Sequence, residues 1–441
     1  DSAGTGGSNN VAIGFGTLRR NSDSGQVAVG SNSMNANTAG EGNTAVGYNT
    51  LLANTTGNYN TAIGYDALYT NVHGDGNVAL GYKALYTAAP ADNTGYNVAV
   101  GHKALYDLTD GVYNIALGWL AGENITTGDN SVIIGNNAGQ AMTTQSENVL
   151  VGQIAGRDLT GANNVFLGSA AAYQATSTSN TVVIGRQAGA GAVLTGVSNV
   201  FIGAGAGYGA TSAQKSVIIG TNAGYALGSH AGSTIVGFEA GRFLDAGSGG
   251  SVAIGHQALY SGTQNYQDVA IGYNAGRKAT GGSANNVFLG SAAGPSSAGA
   301  VSNQLYIHNA EGTPLIGGDF SAGTVTINGV LSATAKSFNI PHPLYNDKRL
   351  VHGSLEGPEH GLYIRGTIEA FKGCLIELPE YWSAMCEDYT VQLTPHGAYT
   401  VFIKEKQMDK IMVGCSEENY KFDYYIVGAR TDETLEVVQD G

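Results

Sequence analysis

Polar and apolar positions alternate in a short phrase that recurs along most of this chain: polar, β-branched, small or apolar, aliphatic, glycine. Asn10 to Gly14, Asn60 to Gly64, Asn199 to Gly203 and Asn286 to Gly290 show it. The closing glycines stand at 14, 30, 47, 64, 81, 101, 118, 135, 152, 168, 185, 203, 220, 237, 255, 272 and 290, which makes 17 copies at a mean spacing near 17 residues. The residue before each glycine is Ile, Val or Leu in all 17 copies; the residue three before is Val or Ile in 14, with Thr44, Thr61 and Thr234 in the others. β-branched side chains at alternate positions favour a pleated strand. A period this short does not fit helical-hairpin repeats. It predicts one coil of a parallel β-solenoid, with two short strands and two turns per coil and a rise of ~4.8 Å, so that the copies stack to roughly 80 Å.

The fixed positions of the phrase carry distinct expectations. The anchor glycines, Gly14, Gly47, Gly64, Gly135, Gly203, Gly255 and Gly290 among them, read as structural, allowing a bend or a close backbone approach. Four residues before the anchor stands Asn in ten copies and Gln, Ser, Thr or Asp in seven, which predicts a ladder capping turn amides. The middle residue is apolar in every copy: Ala in nine, and Ile133, Leu150, Phe166, Val183, Phe201, Ile218, Ile235 and Phe288 in the rest. Both strand faces are therefore apolar, so one fills the coil and the other calls for self-association. Four residues after the anchor, seven of the nine Ala copies carry Leu or Met, and all eight large-residue copies carry Gly or Ala. Such an exchange is expected of side chains that touch in one packing layer.

Composition divides the chain. Residues 1–335 hold 10 Lys and Arg with 17 Asp and Glu, and residues 336–441 hold the same numbers in a third of the length. Seven of the eight prolines lie at or after Pro295, and Cys374, Cys386 and Cys415 all fall in the last segment, where buried free thiols are expected. This organises the chain as a repeat shaft over 1–294, a β-rich connector over 295–335 and a small, mainly β domain over 336–441. In the last, Gly361 to Gly366, Cys374 to Leu378, Tyr389 to Leu393, Tyr399 to Lys404 and Tyr424 to Val427 suit strands, and Glu380 to Glu387 suits a short helix. A net charge of −14 argues against nucleic acid as a partner. No apolar run approaches the ~20 residues of a membrane-spanning helix. The 42% hydrophobic content excludes disorder.

The Asn-x-Ala-Ile-Gly phrases resemble the head repeats of trimeric autotransporter adhesins. That resemblance implies left-handed parallel β-rolls wound as a homotrimer. The longer form, with the extension Gly64-Tyr65-Asp66-Ala67-Leu68, is similar to repeats of bacteriophage tail fibres. Residues 303–331 resemble the neck preceding the C-terminal domain of many such fibres. Lys336 to Pro343, Leu350 to Glu359, Leu362 to Gly366, Ile376 to Trp382 and Val391 to Pro395 resemble a C-terminal domain of tail fibres of marine phages, especially those infecting cyanobacteria. The resemblance implies a virion tail fibre that mediates host attachment through a cell-surface glycan or protein. Sequence N-terminal to Asp1 would join it to other virion tail proteins. The rival readings are a bacterial trimeric surface adhesin and a polysaccharide-degrading tailspike.

Candidate chemistry is sparse. His342, His352 and His360 show no chelating spacing and read as structural, with no metal or cofactor expected. Glu356 and Glu359 flank a Gly-Pro turn, and Ser354 lacks an evident His and Asp partnership, so no catalytic set and no enzyme are expected. The tyrosines recur after anchors (Tyr48, Tyr65, Tyr82, Tyr273) and after Ala-Leu (Tyr69, Tyr86, Tyr106, Tyr260); they either cover the apolar solenoid surface or stack on sugars. Receptor contact is assigned to the charge-rich terminal domain, with Tyr381, Trp382 and His360 as its candidate residues.

Overall fold

The computed structural model describes residues 7–88, 94–229, 231–244, 249–261, 267–331, 337–341, 349–353 and 361–430. Two compact units divide the chain, Asp1–Val330 and Leu331–Gly441. The first is a parallel β-solenoid. Each repeat contributes one three-residue strand, from Val11–Ile13 to Val287–Leu289. Consecutive strands pair parallel and in register, so that Ala45 meets Ala62 and Val183 meets Phe201. The expectation of two strands per coil is corrected to one. The opposite side of each coil passes through left-handed residues, such as Asp66 at φ 53° and Leu68 at φ 52°, which interrupt a pleat. Coil-to-coil hydrogen bonding persists there without strand geometry: the Asp66 and Leu68 amides donate to the Tyr48 and Ala84 carbonyls at 3.0 and 2.9 Å.

The middle residue of every phrase from Ala28 onward is fully buried inside the coil, whereas its aliphatic neighbours point outward and are half-buried or exposed. Ala62 and Leu68 share the inner core, as do Phe201 and Ala206. The large-for-small exchange is a direct contact. A Cβ on Gly207 would lie 2.9 Å from Phe201 Cδ2, and one on Gly139 would lie 2.8 Å from Leu150 Cδ1 of the next coil. Backbone conformation adds a second reason: Gly207 has φ 59°, and its Leu counterparts Leu51 and Leu85 hold φ 49° and 50°. Gly207→Leu is therefore expected to destabilise the chain by about 1–3 kcal/mol through overpacking. Adding Phe201→Ala restores the pairing seen in Ala62 and Leu68. Chemical denaturation of the double variant is expected to recover most of the loss. A double variant no more stable than Gly207→Leu alone would remove the packing explanation.

Side-chain ladders run parallel to the strands. The Asn43 Oδ1 accepts from the Asn60 amide at 2.8 Å, the Asn60 Oδ1 from the Asn77 amide at 2.9 Å, and so on along the chain. Most side-chain amides also donate to a carbonyl three residues before the next rung, as from Asn43 to Gly57 at 2.9 Å and from Asn114 to Gly128 at 2.7 Å. Burial without partners is costly for such groups, so the ladder satisfies both strand-entry amides and turn carbonyls. A second ladder was not legible as such: Asn21, Asn37, Asn54 and Asn71, seven residues after their anchors, join Nδ2 to Oδ1 at 2.7, 2.7 and 2.9 Å. From Ala88 on this buried column turns apolar, with Leu108, Ile125, Met142 and Leu159. The Asn71 Oδ1 at the junction is left unpaired.

The ladder extends one rung beyond the last phrase. Gln304–Ile307 pairs parallel with Val287–Leu289, and the Gln304 amide donates to Asn286 Oδ1 at 2.9 Å. His308 takes the anchor's place there. The strands Ile316–Asp319 and Thr324–Ile327 then add antiparallel, ending the parallel stack.

Among its described residues the second unit holds two three-stranded antiparallel sheets and a two-stranded pair, Ser337–Pro341 with Arg349–Gly353. One sheet has the order Gly361–Phe371, Asn419–Arg430, Cys386–Pro395; the other has Cys374–Glu377, Lys410–Cys415, Val401–Lys406. Lys410–Cys415 was not anticipated, and the helix is one turn, Trp382–Met385. The sheets share one core that includes Leu362, Trp382, Ile411, Val413, Phe422 and Ile426. All three cysteines are free. Only Cys386 is buried, and Cys374 and Cys415 are half-buried, which corrects the expectation of uniform burial.

Candidate binding surfaces

In the second unit, period-two alternation sends Leu362 inward and leaves Tyr363, Arg365, Thr367 and Glu369 on the outer face of the first sheet. Register places Arg365 beside Tyr425 and Tyr425 beside Gln392; it likewise aligns Thr367, Asp423 and Thr394. These residues, with Gly366 and Tyr424, line an open hollow of about 460 Å³. The Thr367 hydroxyl donates to Asp423 Oδ1 at 2.6 Å, and His396 Nε2 lies 3.0 Å from Asp423 Oδ2. The Thr367 hydrogen bond, followed by that of His396, holds the Asp423 carboxyl below its ordinary range. Lys421 pairs with Glu369 at the next row. Arg365 forms no ion pair among the described residues, so its guanidinium is free to bind a ligand. A fixed carboxylate, a planar amide, hydroxyls and a cation on one flat face suit hydrogen bonding to a polar ligand.

The sequence-chosen contact residues lie elsewhere. Trp382 is 1% exposed and packs edge-on to Tyr389 with ring centroids 5.9 Å apart. Its indole belongs to the core, which corrects its assignment to receptor contact: a large apolar ring is driven inward wherever a core can accept it. Tyr381 is half-buried at the start of the helical turn and packs on that core. His360, His342, Ser354, Glu356 and Glu359 lie outside the described residues. The alternation of Tyr363, Arg365, Thr367 and Glu369 was the signal for the outer face. It was missed because the predicted strand ended at Gly366 rather than Phe371.

Two aromatic rows run along the first half of the solenoid, and Phe238, His256 and Tyr273 stack at the same post-anchor position further on. Tyr48, Tyr65, Tyr82 and His102 stack at centroid distances of 5.1, 5.6 and 5.0 Å, and Trp119 closes the row edge-on at 6.0 Å. Tyr69, Tyr86 and Tyr106 stack at 5.0 and 5.1 Å. Near-parallel rings this close overlap face to face, so the rows turn edges outward. Lys83 stands between them, its Nζ 5.5 Å from the Tyr82 centroid and 5.0 Å from that of Tyr86.

Among the described residues, no group of three or more His, Cys, Asp or Glu side chains converges as a metal site, and no helix is long and apolar enough to cross a membrane. Comparison of the chain with protein-family models, with curated proteins and with solved structures returned no match.

Proposed function

We propose that this protein is a structural and receptor-binding tail fibre of a bacteriophage, a homotrimer whose solenoid shaft presents the C-terminal unit to a glycan or protein on the host surface. The observation that carries the reading is the division of the chain between a ladder spent on regularity and a charge-rich unit with an open polar hollow around Arg365. Self-association is supported by the outward row of aliphatic side chains, among them Ile63 at 43% and Ile271 at 38% exposure. Burial of such a row requires a partner along the whole shaft; the number three comes from the resemblance to trimeric fibres and adhesins. Three copies would make weak contacts add up to firm attachment.

A truncation ending at Ala335, checked by light scattering, tests the assignment. It is expected to assemble as a trimer yet fail to adsorb to host cells. Arg365→Ala in the full chain is expected to lower adsorption at least about tenfold, as loss of a central charged contact does. Normal adsorption by both variants would move receptor binding away from the terminal unit.

A further inference from the structure

The aromatic rows are interrupted along the solenoid, and the longest run of rings after the anchor is in its first half. In the coils anchored at Gly47 to Gly118, the residue after the anchor is Tyr48, Tyr65, Tyr82, His102 or Trp119. In the next six coils the same position is Asn136, Gln153, Ser169, Arg186, Ala204 and Thr221. The coil therefore closes equally well without a ring there. An aromatic needed for folding, or for an association that runs along the whole aliphatic face, would recur in every coil. Tyr48, Tyr65, Tyr82 and Trp119 are 42–55% exposed here, and the position fills with rings again at Phe238 and Tyr273, 46% and 55% exposed.

We propose that these two rows form a binding surface for a linear polysaccharide lying along the solenoid axis. Because the rings stack on one another, they present edges and phenol oxygens at intervals of about one coil rise, a periodic array that matches a periodic polymer rather than a single small ligand. With the ring faces turned toward one another, the phenols carry the contact, exchanging hydrogen bonds with sugar hydroxyls. Lys83 forms no ion pair among the described residues and adds three donors between the rows. Lys103, 3.5 Å from Glu123, adds a second ammonium beside Tyr106. Trp119 ends the row of Tyr48, Tyr65, Tyr82 and His102 with its ring at 89° to His102. The proposal stands apart from the attachment reading, since it concerns coils that the Ala335 truncation retains.

Trp119 gives a direct readout. The chain has two tryptophans, and Trp382 is buried in the other unit. In the full chain, acrylamide is expected to quench Trp119 emission, identified by its loss in Trp119→Phe. Titration with soluble cellulose derivatives (neutral) and with alginate (a polyuronate) is expected to shift that emission and to protect it from acrylamide. A response to alginate alone, weakened by salt, supports a polysaccharide gripped through Lys83 and Lys103. A response to both supports one held by the phenols. Tyr65→Asn with Tyr82→Asn, which installs the residue found at Asn136, is expected to weaken binding at least about tenfold while leaving thermal unfolding unchanged. Three results would overturn the proposal: Trp119 protected in the free chain, which would mean that a second copy covers the row; no emission change with either polymer; or undiminished binding by the Asn variants.

Discussion

Replacement of Gly135 by alanine is expected to cost about 3 kcal/mol or more and to unfold the coils on either side of it. Two independent causes act at this one atom. The backbone has φ 141°, a conformation that L-residues rarely adopt. A Cβ there would stand 2.2 Å from the Gly152 carbonyl oxygen of the next coil. The obstacle is backbone, and it belongs to a stacked row: Gly152 in turn faces the Gly168 carbonyl at 2.3 Å. Neither coil can retreat without lengthening the strand hydrogen bonds. The control is Gly232→Ala, at φ 70° with nothing within 4 Å of the added atom, which is expected to cost only about 1 kcal/mol of left-handed strain. Urea unfolding of the two variants checks this. Similar midpoints for both would show that coil spacing is not set by the anchors. The same reasoning explains His308 at the last parallel rung: no further parallel coil stacks on it, so no glycine is required.

Asp268→Asn is expected to stabilise the chain by about 2–3 kcal/mol near neutral pH and by close to nothing at pH 4. Asp268 stands in the capping ladder where ten other copies carry Asn. Its Oδ1 accepts from the Asn286 amide at 2.8 Å and from the Asn286 side chain at 2.9 Å, as an Asn would. The other atom differs. Where Asn Nδ2 donates to the carbonyl three residues before the next rung, Asp268 has Oδ2, which is buried and unpaired. Burial raises the Asp268 carboxyl to about 6, with the two Asn286 hydrogen bonds pulling the other way. The unfolded chain releases this proton near the ordinary value of 3.8. Between those values the folded state binds the extra proton, so native stability falls as pH rises through this window and is flat above it. Below it, the protonated carboxyl can donate as an amide does, and the substitution changes little. Other carboxylates, such as Asp423, are shifted downward and oppose this trend. The variant is therefore compared with the parent chain at each pH by thermal unfolding. An equal difference at pH 4 and pH 7.5 would show that folding does not raise the Asp268 carboxyl above its ordinary value.

Much of this architecture is dictated locally and can be read along the chain. The strand at each phrase, its parallel stacking, the glycine anchors, the capping ladder and the exchange between Phe201 and Gly207 all follow from a periodic pattern in which each position meets its own equivalent in the next coil. Repetition turns a long-range contact into a statement about sequence spacing. Three things were decided only in the folded chain. The far side of each coil is built from left-handed residues, because Asp66 and Leu68 are held there by coil-to-coil hydrogen bonds and core burial that override the conformational preference of Leu. The buried amide column Asn21 to Asn71 arises because polar side chains are accepted in the core wherever stacking supplies their partners. In the terminal unit, nothing repeats, so burial depends on which strands pair. The pairing of Gly361–Phe371 with Asn419–Arg430 turns Trp382 into a core residue and brings Arg365, Gln392 and Asp423, distant in sequence, onto one face.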